Sequence, residues 1–389
     1  MYGATVLLAL STAFAPLAAA APQKNTSPNR SHQDGGRRFK YDYNFCPAAN
    51  WPSYGPGYDI TAQEPSDMLK QAMKEVDAGR IEEYIERLVS FGTRATLSVQ
   101  DDPNFGIGAA RRYIADTMRG FAEESDGRME VTTPCYTQQP DGGRILFPVE
   151  ICNVDATITG SETPERYYLI SGHYDSRNTN ITDYTGAAPG ANDDASGVAI
   201  AMELARILAK YEPKSTIVLT AVAGEEQGLY GADFQAATFR NASVNVAGYL
   251  NADTVGSSTG DDGFEDPYSV RLFCQGLPPL ESENATIRSR RLLVGGENDS
   301  PARNLGRFIV ETSQNMWTGM HNIAIIYRLD RFLRGGDHSA YISNGYLNAV
   351  RFTEPNENFD HQHQDIRVEN GTQYGDLIEF VDFDCKLPY

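Results

Sequence analysis

Cysteine is scarce in this chain. Five in 389 residues, at positions 46, 135, 152, 274 and 385, are too few for a disulfide scaffold and too widely spaced for a thiolate-ligated zinc site. Long apolar runs are missing too: after the first 21 residues nothing approaches the roughly 18 uninterrupted apolar residues of a membrane-spanning helix. Basic residues are outnumbered, 33 Lys and Arg against 52 Asp and Glu, for a formal net charge of −19. That balance argues against nucleic acid or an anionic membrane as a partner. No internal repeat and no linker is evident after residue 65, so a repeat array is excluded and one large domain fits.

The start of the chain differs in kind. Residues 1–21 hold an apolar run, Val6-Leu-Leu-Ala-Leu10, and end in Ala18-Ala-Ala-Ala21, the small residues of a signal-peptide cleavage site. Acceptor sequons at Asn25, Asn29, Asn180, Asn241, Asn284, Asn298 and Asn370 agree with export, and a secreted, extracellular glycoprotein is expected. Residues 22–64, rich first in Pro, Asn, Gly and Ser and then in Tyr and Trp, have no sustained period and read as an irregular segment. In an oxidising compartment the cysteines default to structural bridges. Cys135 and Cys152 lie on neighbouring strand-like runs and pair in this reading; Cys46 and Cys385 would tie the ends, leaving Cys274 a buried thiol.

From residue 65 the pattern is alternating. Apolar residues recur at helical spacing from Met68 to Val89 and from Ala109 to Ala122. Runs 128–136 and 148–158 alternate as paired strands about a Pro-Asp-Gly-Gly turn. Buried-type strands follow at 166–172, 215–223, 246–253, 268–274, 323–327 and 347–352, interleaved with helices at 198–210, 229–238, 301–317 and 337–343, and the end from Thr372 reads as helical. Strand, helix, strand implies parallel crossovers. The expected fold is α/β: a single-domain three-layer sandwich, residues 65–389, with a mixed, mostly parallel twisted sheet and helices on both faces.

Four successive strand ends deliver cation-binding side chains: His173 with Asp175, then Asp193, then Glu225 and Glu226, then Asp253. A polar residue at one strand end is ordinarily a cap, but four in sequence fall on the face where open α/β sheets bind ligands. Mixed imidazole and carboxylate donors suit zinc or a similar divalent ion. Later, Glu354-Pro-Asn-Glu-Asn-Phe-Asp-His-Gln-His-Gln-Asp365 supplies His361 and His363, and Asp337-His338 precedes it. Of the six histidines, His32 and His321 alone stand outside these motifs.

Gly172-His-Tyr-Asp-Ser176, Pro189-Gly-Ala-Asn-Asp-Asp-Ala-Ser-Gly197, Gly224-Glu-Glu-Gln-Gly228, Asn251-Ala-Asp253, Asp337-His338 and the late histidine, in that order, resemble the secreted co-catalytic zinc aminopeptidases of the bacterial leucyl-aminopeptidase type. Their relatives include glutamate carboxypeptidases and glutaminyl cyclases. The resemblance spans about residues 75–385. It implies two Zn2+ ions, with His173 and Asp253 on one, Glu226 and His361 on the other, and Asp193 bridging. It further implies Glu225 as the general base acting on a hydroxide held by the ions, Asp175 orienting the His173 ring, and a cis Asp193–Asp194 peptide. His361 is preferred because Asp365 follows it by four residues, as in the family pattern; His363 is the alternative. Two neighbours depart from the family: Asp360 and Gln362 flank His361, and Gly336 replaces the Ser usually found before Asp337.

The function implied is release of N-terminal residues from peptides with a free N-terminus, by a monomer. A carboxypeptidase or dipeptidase on the same site is the alternative, with Arg331, Arg334 or Arg351 near enough to bind a substrate carboxylate. Glutaminyl cyclase is disfavoured because the ligand set is complete. A non-catalytic binding protein of the same fold would have lost ligands, and a metal-free hydrolase would leave the histidines without a role.

Overall fold

A computed structural model describes residues 66–279, 282–313, 322–331 and 334–383. The expected signal peptide, the irregular segment, His321 and the Cys46–Cys385 pairing lie outside them. Three helices lead: α1 (Asp67–Lys74), capped by Ser66 Oγ on the Leu69 amide, α2 (Ala78–Val89), capped by Asp77, and α3 (Gly106–Ala122). Their apolar stripes bury Ile85, Leu88, Ile114 and Met118, each worth about 1.5–3 kcal/mol of transfer free energy.

The two alternating runs are each divided. The first gives β1 (Met129–Thr132) and β2 (Cys135–Gln138), separated at Pro134, which has no amide to continue a ladder; the second gives β3 (Val149–Cys152) and β4 (Val154–Ile158). β2 and β3 form a separate hairpin across which Cys135 faces Cys152, and the two are disulfide-bonded. β1 and β4 instead enter the main sheet. Cys274 is buried and free.

The main sheet continues with β5 (Thr163–His173), helix α4 (Ser196–Leu208), β6 (Ser215–Val222), the single turn α5 (Glu225–Gly228), α6 (Tyr230–Asn241) and β7 (Asn245–Ala252). β8 (Ser269–Phe273), α7 (Ala285–Leu293), α8 (Pro301–Ser313), β9 (Asn322–Ile326), α9 (Asp337–Ser343) and β10 (Ala349–Thr353) complete it. Its strand order is β1-β4-β6-β5-β7-β10-β8-β9, with the central β6, β5, β7 and β10 all parallel. Helix α7, whose residues are mostly exposed and which has no clean apolar stripe, was not anticipated. The C-terminal stretch expected to be helical forms β12 (Thr372–Tyr374), paired with β11 (Arg367–Glu369), and one 3-10 turn. Gly371, with φ of +86°, closes that hairpin, and Gly375, with φ of +112°, stops a helix from running on from Thr372.

Register sorts the core into layers. Val218, Leu169, Tyr249 and Ala349 are neighbours across four strands and pack with Tyr341 and Ile342 of α9 and Ala236 of α6. The alternate row, Leu219, Ile170, Leu250 and Val350, faces α4 on one side and α8 on the other. The sheet therefore carries helices on both faces, as expected. No helix of the described residues is long and apolar enough to cross a membrane.

Candidate metal centre

Parallel register brings the acids together. Gly172 lies beside Ala221, His173 beside Val222 and Ser171 beside Asn251, so the carboxyl ends of β5, β6 and β7 finish level with one another. His173 ends β5, Asp253 follows β7, and Glu225 and Glu226 begin the turn after β6. That turn needs Gly224, whose φ of +73° is left-handed. Asp193 comes from the loop before α4, which packs tightly at Gly197: a Cβ there would stand 2.1 Å from the Ala252 carbonyl oxygen.

His173 Nε2 is 3.0 Å from Asp193 Oδ1, and His363 Nε2 is 2.8 Å from Asp193 Oδ2 and 2.9 Å from Glu226 Oε1. Two groups of candidate donors result, His173 with Asp193 and Asp253, and Asp193 with Glu226 and His363, each with its ligand atoms within 4.8 Å of one another. Asp193 belongs to both. The Asp193–Asp194 peptide is cis. Buried Asp193 is held well below the usual carboxylate range: burial would raise it, but His363 and His173 outweigh that.

His361 does not join this cluster. Its ring stacks on Phe380, 3.6 Å between centroids, beside a separate small cavity. The physical reason is a tight turn: the amides of His361 and Gln362 both bond the Asn358 carbonyl, and His363 then adopts a left-handed φ of +59° that swings its side chain back toward Asp193. Asp365, whose spacing favoured His361, bonds Thr179 instead, 3.2 Å from its amide.

Asp175 stands at the His173 ring, as expected, and has further contacts. Its carboxylate is 3.5 Å from His173 Nδ1, whereas its backbone carbonyl oxygen is 3.1 Å away and takes the ring contact. The carboxylate accepts the amides of Glu225 (3.2 Å) and Glu226 (3.1 Å) and the Thr96 hydroxyl (2.9 Å). It fixes the backbone on which both glutamates stand.

Glu225 lines the cleft. Burial is the main cause that raises its carboxyl well above the usual range, helped by Glu226 and Asp253 and opposed by His173. Asp337, buried with neither carboxylate oxygen hydrogen-bonded, is pushed up by burial to about 8, with His173 opposing and Asp253 and Asp175 reinforcing.

Several supports were not foreseen. Asp376 accepts the amides of Asn192 (2.8 Å) and Asp193 (2.7 Å), and Gln362 Nε2 donates to Asp193 Oδ2 at 2.8 Å. Fully buried Arg94 donates to the carbonyls of Tyr174 (2.8 Å) and Gly190 (2.8 Å), tying the His173 loop to the Asp193 loop. No local pattern marks these residues, since each acts on chain far away in sequence. Arg351, considered for substrate, is buried between Asp253 Oδ1 (2.8 Å) and Asp330 Oδ2 (2.7 Å). Arg331 is likewise paired, with Asp330 and Glu357.

The model of peptidase family M28 matches residues 153–374, which contain every residue of the two donor groups. A probable zinc metalloprotease of Leptosphaeria maculans is 61% identical over 327 residues, covering 84% of this chain and 75% of that protein. The chain belongs to peptidase family M28. Within the family, a second probable zinc metalloprotease, from Pyrenophora teres f. teres, is 58% identical over 342 residues, 88% of this chain and 70% of its own. Among solved structures, Legionella pneumophila LapA aminopeptidase superposes with a TM-score of 0.55 at 16% identity, over 84% of this chain and 73% of its own. Two structures of Porphyromonas gingivalis glutaminyl cyclase give 0.51 and 0.52 at 17%, over 79% of this chain and 93% and 92% of their own. At those identities the likeness is one of fold.

Proposed function

We propose that this M28 peptidase is a secreted, two-zinc exopeptidase that removes N-terminal residues from peptides. The observation that carries the reading is the shared carboxylate: Asp193 presents one oxygen to His173 and the other to His363. The donors suit zinc, being imidazole nitrogens and carboxylate oxygens without thiolate. Glu226 Oε1 is buried and lacks a hydrogen bond of acceptable geometry although His363 Nε2 is 2.9 Å away, the arrangement of two ligands meant for a common cation. In this reading His173, Asp193 and Asp253 would hold one ion, and Asp193, Glu226 and His363 the other.

When bound, the ions supply Lewis-acid polarisation of the scissile carbonyl and lower the pKa of the attacking water. The chain supplies the rest. Glu225, in the cleft wall and outside both donor groups, would take the proton from the attacking water and pass it to the leaving amine. Asp175 holds Glu225 and Glu226 in register, and its carbonyl fixes the His173 ring so that Nε2 faces the cluster. Export rests on the apolar start, the sequons and the Cys135–Cys152 bridge.

The test is metal analysis of the purified chain followed by assay of N-terminally free and blocked peptides. About two zinc per chain and cleavage confined to free N-termini are expected. Release of C-terminal residues from blocked peptides would overturn the aminopeptidase reading, and absence of zinc would overturn the metal centre.

A further inference from the structure

The cleft beside Glu225 has a volume of about 280 Å3 and is lined by four arginines as well as by the metal-centre acids. Arg331 is paired, but Arg144, Arg177 and Arg334 have no carboxylate partner among the described residues. Arg144 donates to the Glu226 carbonyl at 2.8 Å, and Arg177 to the carbonyls of Asn178 (3.1 Å) and Thr179 (3.2 Å). The Arg334 guanidinium bonds to none of the described residues. In a chain whose acids outnumber its bases by 52 to 33, three arginines without an acid in one cleft are a selective placement. They arrive from separate loops, after β2, after β5 and before α9.

Balancing the centre does not account for them. Arg351 already neutralises Asp253. On the proposed reading, on which this inference rests, two divalent ions already balance Glu225 and the three ligand carboxylates, so the centre does not call for further cations. A guanidinium fork matches the two oxygens of a carboxylate, and the carbonyl bonds of Arg144 and Arg177 hold those side chains while leaving other N–H groups to donate. The cavity is at the small end of ligand sites, so a group that touches its arginines lies within a residue or so of the bond beside Glu225.

We infer that the preferred substrates are short or acidic peptides carrying a carboxylate next to the scissile bond, bound by Arg334 with Arg177 and Arg144. That carboxylate is either an Asp or Glu side chain or the C-terminus of a dipeptide. The experiment measures kcat/KM with the zinc-loaded full chain on matched pairs: Leu-Asp-Ala-NH2 against Leu-Asn-Ala-NH2 for the side-chain source, and Leu-Ala against Leu-Ala-NH2 for the terminal source. At least one pair is expected to favour the carboxylate by about tenfold or more, as charged hydrogen bonds ordinarily do. In Arg177→Gln/Arg334→Gln that ratio is expected to fall toward one, and higher salt is expected to lower it in the wild type. Equal rates within both pairs overturn the inference but leave the peptidase reading intact. A preference that survives in the double variant overturns the assignment to these arginines. If a zinc-containing preparation cleaves none of the four, the peptidase reading fails and this inference with it.

Discussion

His363 Nε2 stands 2.8 Å from Asp193 Oδ2, while His361, two residues earlier, stacks on Phe380. The two histidines therefore make opposite predictions. His363→Ala should leave about one zinc per chain and lower kcat at least about 100-fold, more than loss of an outer partner costs. His361→Ala should retain full zinc and activity and lose about 1 kcal/mol of ring stacking. Metal analysis and thermal unfolding of the pair decide it. Loss of zinc in the His361 variant would return the ligand to the position that sequence spacing favours.

How much of this was legible follows from which interactions are local. The strand ends were readable because each of His173, Glu225 and Asp253 follows its own apolar run, and parallel strands carry such residues to one edge. The choice between His361 and His363 was not. It turns on a left-handed residue in a polar loop with no glycine to announce it. Asp376 and Arg94 were invisible for a related reason: they bond main-chain groups of distant loops, and any residue type at those loops would offer the same amides and carbonyls. Asp175 was recognised as a partner of the His173 ring, but the bonds its two oxygens also accept from the amides of Glu225 and Glu226 were not.

The adjacent glutamates should separate by phenotype. Glu226 is buried against His363, and Glu225 lines the cleft. Glu225→Gln is expected to keep its zinc and lose about 10²- to 10⁴-fold in kcat, the usual worth of a general acid–base group. Glu226→Gln is expected to lose zinc as well as turnover. Wild-type turnover in Glu225→Gln would remove that residue from the chemistry.

Arg351 offers a test of the frame behind the centre. It is fully buried and bridges Asp253 and Asp330 at 2.8 and 2.7 Å. Arg351→Met removes the cation beside Asp253 and leaves Asp330 with Arg331 alone, which should cost up to about 3–5 kcal/mol by denaturant titration. Because Asp253 is a candidate ligand, zinc affinity should fall alongside stability. A variant as stable as the wild type would show that the two acids find other compensation.

Asp155 permits a pH prediction away from the metal centre. It lies in β4, buried under α6, where Oδ1 accepts bonds from Thr220 Oγ1 (2.6 Å) and Gln235 Nε2 (2.8 Å). Burial raises its carboxyl from 3.8 to about 6, with those two bonds opposing the rise. Between these values the folded state holds the proton and the unfolded state releases it, so the folded chain binds more protons and stability falls as pH rises. The contribution is complete below pH 3.8 and lost above about 6, and a shift of that size corresponds to about 3 kcal/mol. Asp155→Asn mimics the protonated carboxyl, keeping Oδ1 as acceptor and placing a donor where the hydroxyl would be. It should match the wild type near pH 4 and exceed it by up to about 3 kcal/mol near pH 8. Comparing the two proteins at each pH removes contributions they share, including those of the metal ligands. A difference in unfolding free energy that stays constant across this range would show that Asp155 ionises normally, with its charge carried by the Thr220 and Gln235 bonds.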